Sequence, residues 1–78
     1  MTRPVITASE REWFRAILRC HCVVGSAHRL VASGLRGAIP EPPDWATVKR
    51  IAQLLDDAGF EPKRDMHRRW HYGVGVKR

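Results

Sequence analysis

Apolar residues recur at helical spacing in the first and third quarters of this chain and alternate at strand spacing near its C-terminus. Residues 1–6 read as an extended lead-in. Thr7-Ala8-Ser9-Glu10 forms a capping box, whose hydroxyl and carboxylate can satisfy orphan N–H groups reciprocally. Trp13, Ile17, Cys20 and Val24 then follow at i+3/i+4 with Phe14 and Leu18 beside them, which predicts an amphipathic helix. Arg11, Arg15 and Arg19 line its far side, either as a solvated stripe or as a second phosphate-contacting surface. Gly25-Ser26 predicts a break, with Ser26 capping a second helix whose apolar face is Ala27, Leu30 and Val31 and whose end is Gly34 or Gly37. The 3.6-residue period stays in phase across Gly25, so one continuous helix is the alternative.

Residues 37–44 read as a linker, because Pro40, Pro42 and Pro43 cannot sit inside a helix. Asp44 is then an N-cap, and Trp45, Val48, Ile51, Ala52, Leu55 and Ala58 mark a third helix over 45–58 with Gly59 just past its end. After a turn at residues 65–68, residues 69–76 alternate. Trp70, Tyr72, Val74 and Val76 fall on one face, expected in the core, and His71, Gly73 and Gly75 on the other. The expectation is an α+β domain of three helices followed by a C-terminal β-hairpin over 61–78.

Length bounds the chemistry. Seventy-eight residues make one small domain with a thin core, too short for a dinucleotide-binding or barrel fold. No run approaches a membrane span and residues 1–6 hold no apolar leader, so the expected setting is cytoplasmic, with no membrane partner.

Charge narrows the partner. The net charge is +6. Residues 61–78 hold six basic side chains (Lys63, Arg64, Arg68, Arg69, Lys77, Arg78) against Glu61 and Asp65, which is +4 of that total. A cluster of this kind favours a polyanion, either nucleic acid or an acidic protein face.

Metal and catalytic readings fare less well. Cys20 and Cys22 are two apart, so on a helix they point to nearly opposite sides and cannot share an ion or a disulfide. His21 and His28 lie too far apart along a helix to join them. The expectation is Cys20 in the core, Cys22 near the surface, both reduced. Asp56 and Asp57 are adjacent rather than facing, and no Ser-His-Asp elbow or phosphate loop occurs. The chain is therefore read as a non-enzyme with no metal and no cofactor.

The run Thr47-Val48-Lys49-Arg50, continuing through Gly59 and into Asp65-Met66-His67-Arg68-Arg69, resembles the recognition helix and wing of a winged helix-turn-helix domain, especially the MarR-like pattern with its D-x-x-R-R wing tip. The resemblance spans residues 47–76. It implies a transcriptional regulator or a phage or mobile-element factor binding double-stranded DNA. Thr47, Lys49, Arg50 and Gln53 would face the major groove, and Lys63, Arg64, His67, Arg68 and Arg69 would meet phosphates or the minor groove. The connector before the helix is longer than the usual turn and carries Glu41 and Asp44. A protein-binding winged-helix module or inhibitor acting on an acidic partner is the rival, and a homodimer on paired half-sites is compatible with either. The Ala58-Gly59-Phe60 helix end and the hairpin that follows are also similar to HicA-type RNA-cleaving toxins, which would make His67 a general base.

Overall fold

The computed structural model describes residues 5–66 and 68–77. It is an α+β fold in the order α1 (Ala8–His21), β1 (Cys22–Leu30), α2 (Ala32–Ala38), α3 (Val48–Asp57), β2 (Glu61–Asp65) and β3 (Arg68–Val76). The three strands form one antiparallel sheet in the order β1-β3-β2. Three helices and the C-terminal hairpin are present, but a strand lies between the first helix and the second, which does not occupy the residues expected of it.

The main correction is β1. Residues 22–30 form a strand where the helical period predicts the end of α1 and a helix starting at Ser26. Val23-Val24 is β-branched and suits a strand, but the reason lies elsewhere in the chain. Cys22, Val23 and Val24 pair with Val76, Gly75 and Val74, and Arg29 and Leu30 pair with Tyr72 and His71. Local periodicity cannot register a partner so distant in sequence. The second helix therefore starts at Ala32 and includes Gly34 and Gly37, so the connector runs from Ile39 to Thr47 and not over 37–44.

The third helix is shorter than expected. Thr47, not Asp44, is its N-cap, with the hydroxyl accepting the Arg50 N–H at 3.2 Å. Trp45 lies outside it, 42% exposed, with its ring edge-on to Trp13 at 4.9 Å. The connector is docked rather than loose: Ile39 and Ala46 are buried, and Arg36 Nε donates to the Ala46 carbonyl at 2.8 Å. At the other end of α3, Gly59 adopts φ +93°, the left-handed conformation that favours glycine after a helix. The α1 capping box forms as expected.

The core joins Phe14 and Ile17 of α1, Leu35 of α2, and Ile51, Leu54 and Leu55 of α3 to Cys22, Leu30 and Val74 of the sheet. Two inside–outside assignments reverse. Cys22 is buried and Cys20 exposed, because the chain turns from helix to strand between them; both are free thiols. Strand β3 buries His71, while Trp70 and Tyr72 stand half-buried on the opposite face, outside the core. Simple alternation fails at Gly73, whose φ of +92° shifts the strand phase and lets His71 and Val74 both point inward.

Candidate nucleic-acid interface

Helix α3 presents different residues to two neighbours. Its Arg50 side faces α1. There Arg50 Nε and Nη2 donate to the two Glu10 carboxylate oxygens at 2.5 and 2.8 Å. Nη2 also reaches the Val5 carbonyl at 2.7 Å, and Nη1 the Gln53 side-chain oxygen at 3.0 Å. This hydrogen bonding holds the Glu10 carboxyl down at about 2, from an ordinary 4.5, and raises the Arg50 guanidinium in return. A second clamp joins the same two helices at the other end of α3, where Arg11 grips both oxygens of Asp57 at 3.0 and 3.1 Å. The Asp57 carboxyl is lowered by these hydrogen bonds. Arg50 and Thr47 are thus committed to holding the helix in place, and Gln53 is partly so.

The other side of α3 meets the hairpin. Val48, Lys49 and Ala52 line a groove of about 480 Å³ with Arg68, Arg69 and His71 of β3, closed by the start of α2 at Ala32 and Ser33. Lys49, Arg68 and Arg69 converge here from separate parts of the chain. On β2, Arg64 is exposed across the ladder from Arg69, whereas Lys63 pairs with Trp70 and lies near Tyr72 on the other face of the sheet.

The hairpin stores unlike and like charges in register. Asp65 sits opposite Arg68, but Arg64 sits opposite Arg69. Two guanidinium groups directly across a ladder repel, and a bound anion relieves that repulsion. Arg69 is steadied from the helix side, where its Nη2 donates to Asp56 Oδ2 at 3.2 Å. The other Asp56 oxygen lies 2.7 Å from His71 Nε2. His71 is 1% exposed and its Nδ1 has no hydrogen-bond partner among the described residues. His67 lies outside the described residues, so neither the wing-tip role nor the general-base role that the resemblances imply is placed.

Asp56 and His71 are absent from the candidate residues that sequence reasoning selects. Two adjacent acids at a helix end read as solvated, and His71 reads as outward-facing until the phase shift at Gly73 is known. Arg29 is likewise missed, because a helical reading of residues 27–34 separates it from Trp70, over whose ring it lies at 4.3 Å. Among the described residues no helix is long and apolar enough to cross a membrane. In comparison with known proteins, no family model, curated protein or solved structure matches this chain.

Proposed function

We propose that this chain is a winged-helix-like domain that binds double-stranded DNA with α3 and the basic hairpin. The observation that carries the reading is the shared groove: Lys49 of α3 and Arg68 and Arg69 of β3 line one surface, with Arg64 directly across the ladder from Arg69. Pairing of β1 with β3 supports it, since that contact ties the hairpin to the helical layer and keeps it beside α3.

The division of labour differs from the one the resemblance implies. Arg50 and Thr47 position α3 against α1, and Lys49 is its outward cation. Val48, 44% exposed, and Ala52 offer apolar contact of the kind that suits a thymine methyl. Lys49, Arg64, Arg68 and Arg69 supply phosphate neutralisation, which sets register and affinity more than sequence preference, while Lys63 is turned to the other face of the sheet.

Fluorescence anisotropy with a duplex across a salt series tests this. Four neutralised phosphates give a log K against log salt slope of about −3.6. A slope near zero, or unchanged binding by an Arg68→Ala/Arg69→Ala variant, overturns the reading.

A further inference from the structure

A second surface lies on the opposite side of the sheet from the groove just described. Tyr72 pairs with Arg29 of β1, and Trp70 pairs with Lys63 of β2. Cross-strand partners share a face, so these four residues stand together, away from buried His71. Each ring carries a cation: Arg29 over Trp70 at 4.3 Å and Lys63 near Tyr72 at 5.5 Å.

From Trp70 and Arg29 a cleft of about 730 Å³ runs past His28 to Lys77, with Val23 and Val76 among its apolar walls. Among the described residues no carboxylate lines it. The cleft depends on Gly75, where an added Cβ would lie 3.1 Å from His28 Cβ. Trp70 and Lys77 are seven strand positions apart, a span of roughly 20 Å. That exceeds one nucleotide and accommodates a short run of them.

We propose that this cleft binds a segment of single-stranded DNA, independently of the duplex surface. In the free protein Arg29 covers one face of the Trp70 indole; when it turns to a phosphate, that face becomes a stacking platform for an unpaired base, tolerant of sequence because every base has a π-face. Arg29, His28 and Lys77 follow the backbone phosphates along the cleft, and the missing carboxylates leave nothing to repel them. DNA is the occupant chosen because the groove on the other face is proposed above to take DNA; the choice of sugar rests on that reading, and oligouridylate tests it separately.

The test titrates labelled oligothymidylate, oligouridylate and a blunt duplex into the full chain by anisotropy, with circular dichroism on each variant. Oligothymidylate binds; Trp70→Ala weakens it about tenfold, and Trp70→Phe retains most of it. Lys77→Glu and Arg29→Gln weaken it also, and they decide the matter if Trp70→Ala fails to fold. Lys49→Glu lowers duplex affinity and leaves oligothymidylate binding intact, so the two surfaces are scored separately. No oligothymidylate binding by the wild type, or full binding by folded Trp70→Ala, overturns the proposal. Preference for oligouridylate overturns its assignment to DNA.

Discussion

Arg50 of α3 grips Glu10 of α1 through two nitrogens, and Glu10 also closes the capping box that starts its own helix. One carboxylate therefore both terminates α1 and fastens α3 to it. Arg50→Ala removes the two guanidinium hydrogen bonds to Glu10, leaving it those from Thr7, and lowers Tm by on the order of 5 °C. Duplex affinity of the folded fraction stays near wild type, since Arg50 contributes position and not contact. Differential scanning calorimetry beside the anisotropy assay separates the two effects, and a large affinity loss with unchanged Tm contradicts this role.

Acid weakens the same pair. The Glu10 carboxyl titrates at about 2 when folded against an ordinary 4.5, and Asp57 is lowered in the same direction. As pH falls below 4.5 the unfolded chain takes up protons that the folded chain does not. The stabilisation is present in full above that range and disappears as pH drops through about 2. Urea midpoints measured from pH 6 to pH 2 fall accordingly, and Glu10→Gln flattens the fall.

Asp56→Ala moves stability and affinity in opposite directions. It strips buried His71 of the hydrogen bond it has, at a cost of about 1–3 kcal/mol. It also removes the negative charge held against Arg69 and so releases that guanidinium. Chemical denaturation shows a less stable protein, and anisotropy shows duplex binding tighter by roughly twofold to fivefold. Weaker binding by the folded variant contradicts the placement of Arg69 at the interface.

Thiol reactivity follows the reversed assignment. Burial pushes the Cys22 thiol up to about 11, while Cys20 is exposed on α1. Iodoacetamide at neutral pH modifies Cys20 in the native protein and reaches Cys22 only after denaturation, as peptide mass mapping would show.

Gly73→Ala destabilises by about 1–2 kcal/mol through backbone strain. An added Cβ meets nothing closer than Phe60 Cδ1 at 3.6 Å, so crowding is not the cause; φ of +92° is. The loss appears in the denaturant midpoint with an unchanged m-value.

Local rules reveal what local forces decide here. The Thr7–Glu10 box, the apolar face of α3 and the Gly59 stop are each settled within one or two turns, and all are legible in the chain. Strand β1 is not, because Cys22–Val24 take their conformation from residues 74–76. Its misreading as helix hides Arg29 and the cleft that follows it. Arg50 is a different case. Its chemistry suits base recognition, but the capture of its guanidinium depends on Glu10, forty positions earlier. The basic hairpin was readable as a charge cluster; its opposition of Arg64 to Arg69 required the register.

Strand β2 lies at the sheet margin with all five residues exposed, reading Glu-Pro-Lys-Arg-Asp. Its outer row of backbone groups is a template on which a further strand could grow. Pro62 withholds one N–H, and four charged neighbours of mixed sign discourage a matching strand. The hairpin can therefore carry concentrated charge toward a polyanion without polymerising through its own border, and any pairing of two copies by sheet extension must use the β1 side.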